Sequence, residues 1–451
     1  MPQQLARLIT EADTHVYVSG CDIDGIARGK IISDNKFAHI DDGFGFCSVV
    51  FAWDMHDAPC IPKPPFMHSG TAFGDVLAVV DPKSMRRIPW NNTPHFLVDF
   101  HHPSTRKPLD FCPRSLLKRI VGQLETEGYV AKVGMEFEFF NFKETSESLH
   151  LKKGVGLDPL TKGMFGYSMT RTHAQKAYFD AIYANCRNYG IPLECLHTET
   201  GPGVYEAAIE YADAVELADR AHIFKSAMKQ IGSDHGIVPC FMAKPHQDQP
   251  GCSGHMHFSL QDVLGTNVFA SSSPSNDPNE CISDIMRYFI AGVLQGLPSI
   301  MAILAPTINS YKRLVENVWA PLTVSYGFEN RTTALRLITP PIASAAATRI
   351  EVRVPGADVN AYLCVAAVLA CGLEGIRKNL KCPVPISTDG VTSTGTSTDL
   401  PRSLRDAVAI MMEPKSIARQ VLGDGFVDHY GATRLSEVRN WDLAVTDYEV
   451  Y

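Results

Sequence analysis

The run GMEFEFF, residues 134–140, sets two glutamates, Glu136 and Glu138, among aromatic residues. Such a run reads as a β-strand. Residues two apart on a strand share a face, so the two carboxylates stand side by side with Phe137 and Phe139 opposite. Adjacent like charges repel and resist burial, so something must draw them together. The pattern recurs. In SGHMHFSL, His255, His257 and Ser259 share one face and Met256, Phe258 and Leu260 the other. In TRIEVRVP, Arg349, Glu351 and Arg353 oppose Ile350, Val352 and Val354. In VYEAAIE, Glu206 aligns with Ala208 and Glu210, and Glu199 precedes Glu206 by seven residues.

An exposed sheet face laced with salt bridges would account for any one of these strands. The set as a whole points further, because the polar face collects Glu, His and Arg rather than the Lys and Thr of ordinary exposed faces. Clustered carboxylates with imidazoles suit divalent metals, which screen the repulsion. Clustered guanidiniums suit phosphate or carboxylate. Together they point to metal-assisted phosphoryl chemistry. The chain has no Walker A sequence and no kinase glycine-rich loop, so its nucleotide fold is a different one.

The elements that carry these strands follow from the rest of the chain. At 451 residues it is too long for one ordinary core, and two domains are expected. Residues 1–105 are strand-rich, with a hairpin around the Asp-Gly turn of HVYVSGCDIDGIARGKII. Residues 106–451 alternate helices and strands. Long amphipathic helices are expected at PRSLLKRIVGQLETEGY, DAVELADRAHIFKSAMKQIGSDHG and SDIMRYFIAGVLQGLPSIMAIL. AYLCVAAVLACGLEGI reads as a buried helix, too short to span a bilayer comfortably. The segments 271–280 and 387–401 read as solvated loops, the second of them mobile.

Net charge is −8, which gives no sign of a nucleic-acid or anionic-membrane partner. The N-terminus has no signal-like apolar core. The 12 cysteines form no CxxC pair, so reduced thiols and a cytoplasmic location are expected rather than disulfides or zinc. His101, His102 and His173 are read as exposed or capping residues, not ligands.

Several motifs then coincide. DIDGIARGK, GMEFEFF, TETGPGVYE, AKPHQDQPGCSGHMHFSL, NSYKRL, ENRTTALRL and RIEVRVPGADVNAYL occur in that order, and DLAVTDYEVY lies at the end. Over nearly its whole length the chain resembles the glutamine synthetase superfamily. The resemblance implies an α+β fold, with an N-terminal β-grasp domain and a C-terminal catalytic domain built on a curved antiparallel sheet flanked by helices. It implies ATP and two or more Mg²⁺ or Mn²⁺ ions. Glu138, Glu199 and Glu206 would hold one ion, and Glu136, His255 and Glu351 the other. His257, Arg336 and Arg349 would meet the phosphates of ATP, and Ser259 its nucleoside end. Arg313 would clamp the α-carboxylate of glutamate, with Gly251 lending backbone nearby. Arg331 and Arg353 would neutralise the γ-carboxylate as it takes the phosphoryl group. A homo-oligomeric double ring, a decamer or dodecamer with active sites between subunits, is also implied.

The departures from the family pattern bear on the nitrogen donor. Glutamine synthetases follow NSYKRL with a segment carrying a glutamate that helps bind and deprotonate ammonium. Here the chain reads NSYKRLVENVWAP, with Trp319 in that place. The N-terminal aspartate of the ammonium pocket also has no counterpart in GFGFCSVVFAWD. A small hydrated cation needs charge to hold it, whereas an indole offers an apolar face or a cation–π contact. The expectation is a glutamate–amine ligase of the γ-glutamylamide or γ-glutamylpolyamine branch. Glu316 and Asp54 are candidates for taking the amine proton. The alternatives are a glutamine synthetase using ammonia, a structural ring of the lens type, and a ligase for another carboxylic acid. Pro250, where the family often has Asn, leaves the last of these open. No bacterial regulatory loop with a modified tyrosine is recognisable, so adenylylation control is not expected.

Overall fold

The computed structural model describes residues 5–40, 42–68, 73–272, 275, 277–316, 319–386 and 398–446. Residues 387–397 of the loop expected at 387–401 lie outside the described residues. So do positions 273, 274 and 276 of the loop expected at 271–280, and residues 447–451 of the terminal motif.

Two sheets organise the chain. The first holds β1 (His15–Cys21), β2 (Ala27–Ser33), β3 (Phe44–Cys47), β4 (Asp75–Val80), β5 (Arg86–Arg87) and β6 (Pro94–His101). Its order is β2-β1-β6-β4-β3, with β5 also on β6. The expected hairpin is β1–β2, turning at Gly25 with φ +85°, a conformation that glycine adopts at little cost. The neighbours β1 and β6 run parallel, and seven of the eight β6 residues are buried, as suits the central strand of the sheet.

The second sheet holds β7 (Val130–Phe142), β8 (Leu193–Thr198), β9 (Val204–Asp213), β10 (Val238–Cys240), β11 (Met256–Gln261), β12 (Tyr326–Phe328), β13 (Leu335–Ile338) and β14 (Arg349–Val352). Its order is β12-β13-β14-β11-β7-β9-β8, with β10 also on β7. All of its pairs are antiparallel except β12–β13. The alternation expected from sequence is present. Phe137, Phe139, Met256, Phe258, Leu260, Ile350 and Val352 are buried on the apolar face. The Ala214–Asp234 helix covers part of that face, with Phe224 stacked on Phe137 at 5.8 Å between centroids.

Helices occupy the positions expected. The Pro113–Thr126 helix begins on its proline, and Gly128 just beyond its end has φ +84°. The Asp284–Leu304 helix is long and apolar enough to cross a membrane, yet most of it is buried in the core. It packs against the buried Ala361–Arg377 helix through glycine. A Cβ on Gly292 would fall 2.2 Å from the Cys371 carbonyl oxygen and 2.7 Å from the Gly375 Cα, so this close approach excludes any side chain. The cysteines are all free thiols.

The Pro113–Thr126 helix also ties the two sheets together. Arg114, 4% exposed, donates to Asp219 on the Ala214–Asp234 helix through Nε at 2.8 Å and Nη2 at 2.9 Å. It also pairs with Asp81 at 2.8 Å and with Asp99 of β6 at 3.3 Å. Removing one partner of a buried charge network leaves the others uncompensated, at a cost of about 3–5 kcal/mol. Arg114→Ala is therefore expected to lower unfolding stability by about that amount in a denaturant titration, leaving Asp219 without its guanidinium and Asp81 and Asp99 to share Lys118.

Candidate active site

The polar face of the second sheet gathers the charged residues by strand register. Glu138 of β7 faces Glu206 of β9, which faces His197 of β8. On the other side of β7, the Glu136 N–H donates to the His255 carbonyl at 2.9 Å, and the Glu138 N–H to that of Ser253 at 3.0 Å. His257 of β11 faces Glu351 of β14, which faces Arg336 of β13. Six strands thus bring together residues that lie between positions 136 and 351 of the chain.

Glu136, His257 and Glu351 each place one ligand atom within 4.8 Å of the others. His257 Nε2 lies 3.0 Å from Glu136, and His255 Nδ1 lies 3.3 Å from Glu351 and 3.7 Å from Glu136. The two imidazoles differ in bonding. The Arg349 Nε–H donates to His257 Nδ1 at 3.2 Å, so that nitrogen is an acceptor and Nε2 carries the proton toward Glu136. His255 Nδ1 faces both carboxylates, with only a long 3.5 Å contact to the Ser253 hydroxyl besides.

The electrostatics separate the carboxylates. Burial opposes ionisation of Glu136, but His257 and His255 hold it well below the usual range. Burial likewise opposes ionisation of Glu351, and His255, His257 and Arg353 hold it at about 2. Burial pushes Glu138 up and Glu206 adds to the rise, and the opposing pull of His255, of the Ser253 N–H at 2.6 Å from its carboxylate and of Arg313 does not offset them. Glu138 is thus a buried carboxylate short of positive charge. Carboxylate oxygens and imidazole nitrogens converging here fit a hard or borderline divalent cation, which would supply that charge.

Three arginines surround the same carboxylates. Arg336 donates from Nη1 to Glu351 at 2.9 Å and also pairs with Glu329. Arg353 is 4% exposed, pairs with Glu351, and donates from Nε to the Arg331 carbonyl at 3.0 Å. Arg349 reaches His257. The Arg331 side chain is open to solvent. Arg313 is buried behind this group, donating to the carbonyls of Val354 at 2.9 Å and Arg353 at 3.2 Å. Gly251 packs directly on it. A Cβ there would lie 2.7 Å from Arg313 Cγ and 2.6 Å from the Ala243 carbonyl oxygen, so only glycine fits. Ser259 of β11 faces Lys132 of β7.

The remaining expected residues have local partners or face solvent. Glu199 follows β8, and its carboxylate accepts the adjacent Thr200 N–H. Trp319 is 71% exposed. The Asp54 carboxylate is engaged in its own turn, accepting from the His56 and Ala58 N–H groups, and Glu316 is exposed. His101 and His173 meet nearby carbonyls, and His102 accepts from the Ser104 and Thr105 N–H groups. Three residues at the site escape the sequence reading. Tyr167 stacks on His197 with centroids 4.5 Å apart. His197 lies 3.4 Å from Glu206, and its position two residues before Glu199 was the available signal. Glu329 pairs with Arg336 from within the ENRTTALRL motif.

Residues 110–451 match the glutamine synthetase catalytic-domain family. The chain belongs to the glutamine synthetase family. It is 43% identical over 441 residues to type-1 glutamine synthetase 2 of Dictyostelium discoideum, covering 96% of this chain and 82% of that protein. It is 34% identical to glutamate–isopropylamine ligase of a Pseudomonas species, covering 95% and 94% of the two chains. Among solved structures it is similar to a GmaS/ADP complex, with a TM-score of 0.83, 26% identity, and coverage of 99% and 98%. As a member of this family the chain is an ATP-dependent ligase that forms carbon–nitrogen bonds.

The position of Glu138 gives a test. Because burial raises its pKa in the folded protein, its ionised form costs stability once the pH passes the ordinary glutamate value, and the full penalty applies above the raised value. Glu138→Gln is expected to raise the melting temperature of the EDTA-treated protein at pH 8. The same substitution should reduce the stabilisation by Mn²⁺ by the share of one site, about 2.7 kcal/mol at a hundredfold excess over Kd. Thermal melts with and without Mn²⁺ check both halves.

Proposed function

We propose that this protein is a glutamate–amine ligase, which uses ATP to form a γ-glutamyl amide and takes an organic amine rather than ammonia as acceptor. The observation that carries the reading is Trp319. It stands six residues beyond the buried Arg313 and leaves 71% of its surface open, where a glutamine synthetase keeps a carboxylate for ammonium. Neither candidate acid stands free to replace that carboxylate, since Asp54 is tied into its own turn and Glu316 faces solvent. The similarity to glutamate–isopropylamine ligase supports the same reading.

The residues take the following parts. Glu138, Glu199 and Glu206 would hold one divalent ion, and Glu136, Glu351 and His255 a second. Bound there, Mg²⁺ or Mn²⁺ supplies charge stabilisation for phosphoryl transfer. Arg336, Arg349 and His257 orient the phosphates of ATP, with Ser259 toward the nucleoside. Arg313 receives the α-carboxylate of glutamate beside Gly251. The glutamate γ-carboxylate oxygen attacks the γ-phosphorus, and ADP leaves. Arg331 and Arg353 offset the negative charge that gathers as the oxygen approaches. The free amine then attacks the acyl carbon of the γ-glutamyl phosphate, phosphate departs with the bonding pair, and the nitrogen gives up a proton. Active sites shared between subunits of a double ring complete the picture.

One finding favours a second reading, glutamine synthesis from ammonia: the relative at 43% identity is named as a type-1 glutamine synthetase. Phosphate release from ATP with Mg²⁺ or Mn²⁺ and glutamate separates the two. An alkyl-, poly- or arylamine should outperform ammonium, with the γ-glutamyl amide identified by mass. Ammonium as the best acceptor overturns the amine reading. Trp319→Glu is expected to move the ratio of kcat/KM values toward ammonium by about tenfold or more, since a cation–π contact of about 0.5–2 kcal/mol is exchanged for a charge. An unchanged ratio removes Trp319 as the selector.

A further inference from the structure

Glu206 sits between two unlike neighbours. On β7 it faces Glu138, another carboxylate, and on β8 it faces His197. Repulsion from Glu138 favours any rotamer that carries the Glu206 carboxylate away from it. His197 Nε2 lies 3.4 Å from Glu206 Oε1, close enough for the imidazole N–H to hold that oxygen. The ring is itself held. Its Nδ1 lies 3.2 Å from the Thr198 carbonyl oxygen. Tyr167 covers one face at 4.5 Å, with the ring planes 26° apart.

Tyr167 reaches that position because Thr198 fastens its segment to β8. The Tyr167 N–H donates to the Thr198 carbonyl at 2.7 Å, and the Ser168 N–H to the Thr198 hydroxyl at 2.9 Å. That hydroxyl in turn donates to the Phe165 carbonyl at 2.7 Å. Tyr167 has φ +55°, a left-handed conformation uncommon outside glycine, and these three bonds hold it there. The chain of contacts therefore runs from buried Thr198 through Tyr167 and His197 to Glu206.

We infer that His197, clamped under Tyr167, is a positioning residue that fixes the Glu206 carboxylate for a divalent cation at the Glu138–Glu206 end of the site. This rests on the reading of Glu206 as a metal ligand. Groups that hold a ligating residue through its second contact set its orientation, and losing one typically weakens metal binding by about 10–100-fold.

Mn²⁺ binding tests this without turnover, by titrating the full-length protein and following the paramagnetic resonance signal of free Mn²⁺ in the absence of nucleotide and glutamate. His197→Phe keeps an aromatic ring under Tyr167 and removes the N–H donor. It is expected to weaken one class of Mn²⁺ site by about 10–100-fold and leave the other unchanged. His197→Gln, which retains a donor, should recover part of that loss. If His197→Phe does not fold, Tyr167→Ala on the solvent-facing segment gives the same readout, and a weakened site again supports the inference. Wild-type affinity in a folded His197→Phe or, failing that, in Tyr167→Ala overturns it, provided that Glu206→Gln loses a site. If Glu206→Gln binds as the wild type does, Glu206 is not a ligand, and the inference falls with the reading beneath it.

Discussion

The constraint on which this structure turns is the crowding of carboxylates on one sheet face. Glu138 and Glu206 stand opposite each other, and Glu136 and Glu351 converge on the same pair of imidazoles. Such a face folds only if positive charge is built in beside it. The protein supplies it unevenly. Glu351 receives both Arg336 and Arg353 and stays ionised far below neutrality, while Glu138 has a backbone N–H on its carboxylate and the fields of His255 and Arg313, which do not outweigh its burial. The first arrangement neutralises itself. The second is left short of a cation, and it is there that an added divalent ion would gain most.

A charged face of this kind needs a stiff support, because a displacement of about 1 Å is enough to impair positioning for catalysis. The apolar side provides it. Phe137 and Phe139 stack against Phe224 and Phe241, so rotation of β7 about its axis would drive aromatic rings into a packed core. Buried Lys225 lies over the Phe137 ring and donates to the Val359 carbonyl at 2.8 Å, tying the core beneath the site to the loop after β14. Thr307 and Ser310 both donate to Asp358, and Asn309 bonds the backbone of Lys244 in both directions. These contacts brace the segment that carries Arg313. Rigidity at the rear is thus continuous with the placement of each charge at the front.

Much of this was legible in the sequence, for a physical reason. A half-buried strand has a period of two, so each chemistry-bearing segment announced both its face and its partners along the strand. The strands containing Glu136 and Glu138, His257, and Glu351 were readable in this way, as were the core helices from their apolar runs. Pairing between strands was not readable, because register is set by contacts between segments far apart in sequence. The Glu138–Glu206–His197 row comes from three strands and two pairings, and nothing in LHTET alone indicates which residue His197 will face. Tyr167 was further out of reach, since its place depends on hydrogen bonds from Thr198 some 30 positions away. The parallel β12–β13 pair in an otherwise antiparallel sheet is a similar case.

The acceptor is the hardest part to read, and the structure suggests why. Phosphoryl transfer asks for dense, opposed charges in fixed positions, and those leave a strong imprint on strands whose burial and alternation are tightly constrained. Choosing between ammonium and an alkylamine asks for much less. The two acceptors share the reacting nitrogen and the same acyl phosphate, and they differ by an apolar extension. Excluding or admitting such a group takes a few side chains at the rim, worth about 1–3 kcal/mol between them. Binding side chains commonly lie on connections, where backbone conformation is less constrained and one substitution changes a pocket without disturbing the sheet. Trp319 is in such a connection, exposed and six residues beyond the buried Arg313. A chain can therefore be 43% identical to a glutamine synthetase, keep the charged face intact, and still differ in the nitrogen it accepts.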